Sequence, residues 1–139
     1  MATVVVPGRY ENLEKLSEFV RQSALAAGLD NFAVYQVETA VEEACTNIIE
    51  HAYGKEGVGD IECTCEVKHD ELTVILRDWG KPFNPQKIRP PNLTAPLKKR
   101  HAHGLGLYFI QQWMDEIYFQ FTGETGNVLT MVKRKEKTG

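Results

Sequence analysis

No apolar run in these 139 residues approaches the roughly twenty needed to cross a bilayer as a helix. The stretch Met1 to Tyr10 lacks a basic segment followed by an apolar one, so a secretory leader is not indicated and a cytoplasmic location is expected. Positive charge is not in excess either: the formal net charge is −3, which offers no general surface for nucleic acid or for a membrane, and neither is expected as a partner. Cysteine is scarce. The three thiols, Cys45, Cys63 and Cys65, are an odd number that reads as reduced side chains rather than a disulfide framework. Cys63 and Cys65 alternate within a strand pattern and share one face, so they read as small core residues rather than metal ligands. Internal repeats and low-complexity segments are absent.

What is present suffices for one domain over residues 1–139, because 42% of the residues are hydrophobic and can bury a core without disulfides. A short apolar strand is expected at Thr3 to Val6. Leu13, Leu16, Val20, Ala24 and Ala27 then recur at helical spacing up to Gly28, which predicts a helix over about Asn12 to Ala27. A second helix starts at Asp30 or Asn31, good N-cap residues, carries the stripe Val34, Val37, Val41, Ala44, Ile48 and Ala52, and ends at Gly54. Ile61, Cys63, Cys65 and Val67 alternate with polar residues as in a strand with one wet face. After a tight turn at His69 and Asp70, the run Leu72 to Leu76 is apolar on both sides and predicts an interior strand. Glu116 to Thr122 and Val128 to Lys133 read as a hairpin. The fold class expected is α+β, a two-layer sandwich in which a mixed sheet is covered on one face by helices. Between Gly80 and His103 lie five of the six prolines and no periodicity, and a loop of that length is functional or disordered. Its position, after a buried strand and before a glycine-rich helix start, is that of an active-site lid.

Three stretches can carry chemistry. Glu43, Asn47 and His51 fall at i, i+4 and i+8 and so line one helical face, opposite the apolar stripe. A carboxylate and a carboxamide one turn apart can take a proton and offer an oxygen to magnesium, although a solvated surface has the same pattern. In Asp78, Trp79, Gly80, Lys81, Pro82 and Phe83, a carboxylate at a strand end can accept from an exocyclic amine, and Gly80 lets a flat ring approach the backbone; an ordinary turn looks alike. The third stretch, His103, Gly104, Leu105, Gly106 and Leu107, is a glycine pair opening an apolar helix, whose bare amides suit phosphate. Trp79 and Trp113 are expected in or beside the core.

Helix carboxylate and amide, strand Asp-x-Gly, long lid and Gly-x-Gly at a helix start occur here in one order, which resembles the GHKL ATPases with the Bergerat ATP-binding fold. That superfamily includes type II topoisomerases, MutL-type repair proteins, the ninety-kilodalton heat-shock chaperones and sensor histidine kinases. Within it the chain is most similar to the bacterial anti-sigma-factor serine/threonine kinases. The likeness is carried by Glu43-Ala44-Cys45-Thr46-Asn47 with His51-Ala52-Tyr53, and by Gly104-Leu105-Gly106-Leu107-Tyr108 through Met114-Asp115-Glu116-Ile117.

The resemblance implies ATP and Mg2+ as cofactors, Glu43 as catalytic base, Asn47 as magnesium ligand and Asp78 as adenine reader. It adds His51, Gly80, Phe83, Gly104, Leu105, Gly106 and Leu107 to the nucleotide pocket, under a lid at about 80–103. It further implies a homodimer that holds a sigma factor inactive and phosphorylates a serine or threonine of a STAS-type antagonist. Two positions depart from the family pattern. Gly126-Asn127 stands where Gly-Thr is usual at the start of the last strand, which leaves Asn127 or Thr130 as the residue near adenine. Arg100 lies four residues before Gly104, so a phosphate role for Lys98, Lys99 or Arg100 competes with a solvated lid. Two other functions fit the same residues: a nucleotide-gated binding regulator with little transfer chemistry, and the detached catalytic domain of a histidine kinase.

Overall fold

A computed structural model describes residues 1–83, 110–122 and 125–136. Strand β1, Ala2–Pro7, leads through a 3-10 turn at Tyr10–Asn12 into helix α1, Leu13–Ala26. Gly28, at φ 89°, turns the chain into the left-handed region that glycine adopts without cost, and helix α2 follows over Asn31–Asn47. The Asp30 carboxylate accepts from the Ala33 N–H at 2.8 Å and caps the first turn. From Ile48 to Tyr53 the helix continues with π geometry and stops at Gly54, φ 85°. Strands β2, Asp60–Lys68, and β3, Glu71–Asp78, form a hairpin through a turn in which Asp70 has φ 63°; β4, Glu116–Thr122, and β5, Gly126–Arg134, form another.

Among the described residues the sheet order is β1-β2-β3-β5-β4, and every pairing is antiparallel. The expected α+β two-layer architecture is present, whereas the mixed sheet gives way to an antiparallel one. The reason lies in the connection from β1 to β2: two helices joined by a short turn bring the chain back to the end of the sheet it left, where a single crossover helix would have made a parallel pair. The Leu72 to Leu76 run is central as expected, with β2 on one side and β5 on the other.

Both helical stripes face this sheet. Leu16, Val20 and Ala24 of α1 and Val34, Val37, Val41 and Ala44 of α2 are buried against Ile61, Cys63, Cys65, Leu72, Val74, Leu76 and Met131. Each large side chain so enclosed contributes about 1.5–3 kcal/mol of transfer free energy, which holds the helix layer on the sheet. Cys63 and Cys65 are core residues, as their spacing suggests. Trp79 is not: it is 51% exposed, as the first residue past β3, with its backbone N–H held by the Tyr53 hydroxyl. Trp113 is half-buried and lies edge-on to Phe32 at 6.4 Å. Among the described residues no helix is long and apolar enough to cross a membrane.

Candidate active site

At the junction of α2 with the π segment, the helix layer and the sheet leave a small cleft between them. Ala44 and Ile48 supply one apolar wall, and Leu76, Phe119 and Leu129 of the sheet supply the other. Polar groups enter at three points, Asn47, Asp78 and Asn127. An apolar slot with a few convergent polar groups suits a flat heteroaromatic ring with an edge to be read.

Glu43 and Asn47 are not on a solvated face. They are 9% and 3% exposed, and the Glu43 Oε1 and Asn47 Oδ1 atoms are buried with no hydrogen-bond partner among the described residues. A buried acceptor left unpaired costs roughly 1–3 kcal/mol, and such a cost persists where the atom serves a ligand or a reaction. Burial pushes the Glu43 carboxyl up from 4.5 to about 8, and the nearby Glu50 carboxylate adds to the effect. Glu50 itself accepts from the Tyr10 hydroxyl at 3.1 Å. Sequence reasoning passed over this second carboxylate, whose only signal is its place one helical turn past Asn47 and two past Glu43.

The π geometry breaks the expected stripe after Asn47. Each π turn takes more residues than an α turn, so His51 falls behind the line set by Glu43 and Asn47. His51 is exposed, with its ring 5.7 Å from that of Phe83, and it is Phe83 that lines the cleft. At the far end of the π segment, the Tyr53 hydroxyl donates to the Asp60 carbonyl at 2.5 Å and accepts from the Trp79 N–H at 3.0 Å. Tyr53 thereby ties the helix end to the start of β2 and the end of β3.

Asp78 closes β3 with its side chain turned into the cleft and is almost wholly buried. Its Oδ1 accepts from the Asn127 Nδ2 at 2.9 Å and from the Gly80 N–H at 2.9 Å. Both protein donors go to one oxygen, so Oδ2 has no protein donor among the described residues. Burial raises the Asp78 carboxyl above its ordinary range, and the hydrogen bonds from Asn127 and Gly80 oppose that rise. Gly80 answers a close approach of the chain to itself: a Cβ there would stand 2.6 Å from the carbonyl carbon and oxygen of Ala52. The neighbouring Lys81 N–H donates to that same Ala52 oxygen at 2.8 Å, which pins the segment after β3 to the helix end.

Strand parity places the two candidates of the last strand on opposite faces of the sheet. Asn127 pairs with Asp78 across the ladder, turns into the cleft, and donates to Asp78 and to the Gly80 carbonyl at 3.2 Å. Thr130 pairs with Ile75 and Tyr118, three residues on, and its side chain leaves on the opposite face of the sheet. The structure does not bring Thr130 to the site. Gly104, Leu105, Gly106 and Leu107, the residues Lys98 to Arg100, and nearly all of the expected lid lie outside the described residues.

A helix carrying a buried carboxylate and carboxamide thus packs over an antiparallel sheet whose central strand ends in a buried aspartate. Residues 6–133 match the family described as Histidine kinase-like ATPase domain, and the chain belongs to that family. Curated relatives include the protein named Serine-protein kinase RsbW from Bacillus mycoides, 37% identical over 101 residues that make up 70% of this chain and 61% of that protein. The protein of the same name from Bacillus thuringiensis subsp. konkukian is 35% identical over 104 residues, 72% of this chain and 63% of that one. The chain thus spans less than two thirds of the length of these relatives. Two solved structures share the fold at 16% identity. The histidine kinase domain of a blue-light-activated kinase from Erythrobacter litoralis has a TM-score of 0.56, over 93% of this chain and 61% of that one. The catalytic domain of the histidine kinase ThkA has a TM-score of 0.53, over 97% of both.

Proposed function

We propose that this protein is a Mg-ATP-dependent protein-serine/threonine kinase that phosphorylates a STAS-type antagonist and, in its other state, sequesters a sigma factor as a cytoplasmic homodimer. The observation that carries the kinase reading is the pair of buried oxygens of Glu43 and Asn47, without a partner among the described residues and one helical turn apart, with Asn47 at the cleft that Asp78 closes. The serine-protein kinase name of its relatives supports the acceptor class.

In this reading adenine lies in the apolar slot with its amine toward Oδ2 of Asp78, while Asn127 and Gly80 hold the carboxylate in place through Oδ1. The Asn47 Oδ1 is a hard, unpaired oxygen at the cleft wall and fits magnesium, which accepts one or two protein oxygens beside substrate phosphates. When bound, that ion neutralises charge on the β- and γ-phosphates. Glu43 takes the proton from the acceptor hydroxyl as its oxygen bonds to the γ-phosphorus, and the bond to the β-phosphate oxygen breaks to release ADP. Only the ionised carboxylate can do this.

Incubation with labelled ATP, magnesium and a serine-bearing STAS-type partner is expected to give an acid-stable phosphate on serine or threonine. Label that appears only on histidine, or none on the partner while nucleotide still binds, would replace this reading with the histidine kinase or the nucleotide-gated regulator.

A further inference from the structure

Two residues at the end of the π segment, Ala52 and Tyr53, have no part in the reaction as proposed, yet they grip the chain that carries Asp78. Where that chain leaves β3, three successive backbone N–H groups are tied down. The Trp79 N–H donates to the Tyr53 hydroxyl at 3.0 Å, the Gly80 N–H to the Asp78 Oδ1 at 2.9 Å, and the Lys81 N–H to the Ala52 carbonyl at 2.8 Å. The outer two anchors come from the helix end, and the one between them orients Asp78 itself. The Tyr53 hydroxyl gives its single proton to the Asp60 carbonyl at 2.5 Å, so toward Trp79 its oxygen is the acceptor.

The ring below this hydroxyl sits in a notch that glycine leaves open. A Cβ on Gly59 would stand 2.5 to 2.8 Å from the Tyr53 ring and hydroxyl, and one on Gly8 would stand 3.5 Å from the ring edge. The Gly8 N–H donates to the Gly59 carbonyl at 2.8 Å and closes the notch. Because π turns take more residues than α turns, the segment Ile48–Tyr53 delivers Tyr53 to a different side of the helix from the one α spacing would give. A tyrosine so seated holds its hydroxyl in one place, and that hydroxyl fixes the peptide group between Asp78 and Trp79.

We propose that Tyr53 is a positioning residue for adenine recognition: its hydroxyl holds the turn from Asp78 to Gly80 so that the Asp78 carboxylate meets the exocyclic amine squarely, and this sets the preference for adenine over purines without that amine. The proposal rests on the reading of Asp78 as the group that faces adenine. Asn127 holds the carboxylate from β5, and Tyr53 holds the backbone next to it from the helix layer. With both anchors the carboxylate has little freedom to tilt, and hydrogen bonds weaken steeply with misalignment.

Tyr53→Phe removes the hydroxyl and keeps the ring that Gly8 and Gly59 enclose. The probes are ADP and purine riboside 5′-diphosphate, which differs from ADP in lacking the exocyclic amine, each titrated calorimetrically into the full chain with magnesium. The wild type is expected to prefer ADP by about tenfold, and Tyr53→Phe to lose most of that preference through weaker binding of ADP alone. A role confined to holding the fold would weaken both ligands alike. Reciprocity gives a second readout in the wild type: if the Tyr53 bond favours adenine, ADP must favour that bond, so exchange of the Trp79 N–H should slow more with ADP than with the analogue. An undiminished preference for ADP in Tyr53→Phe, an equal loss for both ligands, or exchange slowed alike by both would overturn the proposal and leave the nucleotide reading standing. Binding of neither ligand by the wild type, or of both equally, would instead remove the reading of Asp78 and the proposal with it.

Discussion

Replacing Glu43 with glutamine is expected to lower phosphoryl transfer by about a hundredfold to ten-thousandfold, the usual contribution of a general base, and to leave nucleotide affinity nearly unchanged. The pH dependence is the sharper half of this result. With the Glu43 carboxyl pushed up to about 8 by burial and Glu50, the free protein carries a protonated Glu43 at neutral pH. Transfer by the wild type should therefore rise with pH through about 8, and the residual activity of Glu43→Gln should lose that rise. Stability moves in the opposite sense. The native state binds a proton that the unfolded chain has already lost, so the contribution of Glu43 is intact below its ordinary 4.5 and disappears as pH rises through about 8. Thermal unfolding should show the wild type falling relative to Glu43→Gln across that window. Asn47→Ala should part company with Glu43→Gln by losing the magnesium dependence of nucleotide binding along with transfer. A wild-type transfer rate in Glu43→Gln would remove Glu43 as the base.

Asp78→Asn is the second large effect, and the geometry makes it a clean one. The hydrogen bonds from Asn127 and the Gly80 N–H both end on Oδ1, which an asparagine retains as its amide oxygen. What changes is the other atom, an acceptor that becomes an NH2 donor and now faces the donor edge of adenine. Affinity for ATP and ADP should fall about tenfold to a hundredfold, the worth of a hydrogen bond to a charged group with its partner left unpaired. The melting temperature should not fall with it, because a buried carboxylate has been removed and its internal hydrogen bonds kept. If affinity held while the fold was intact, the nucleotide would not be reading Asp78.

The parts of this molecule legible in the sequence are those fixed by periodicity and by turn chemistry. The apolar stripe from Val34 to Ala52 placed α2 and its buried face, Gly28 and Gly54 marked helix ends, and Leu72 to Leu76 gave the central strand. The rest depends on long-range geometry. Strand direction follows from how the helix pair returns the chain, which no local pattern encodes, hence the antiparallel sheet. His51 was expected in line with Asn47 because α spacing was assumed, and a π segment is set by packing of the helix end through Tyr53 rather than by composition. Thr130 and Asn127 could be told apart only by the register of β5 on β3, in which Asn127 faces Asp78. Gly80 was expected to admit a ligand, and what crowds it is the backbone of Ala52. The apolar walls at Ala44, Ile48, Leu76, Phe119 and Leu129 went unmarked because a pocket wall and a core look the same one residue at a time.

The cleft bounded by Asn47, Asp78 and Asn127 is expected to bind an adenine nucleotide with magnesium. Calorimetric titration of ATP and ADP into the wild type, with and without magnesium, tests it most directly. Both nucleotides are expected to bind, more tightly with magnesium and more weakly in Asp78→Asn. Absence of heat with either nucleotide at millimolar concentration in the presence of magnesium would contradict it.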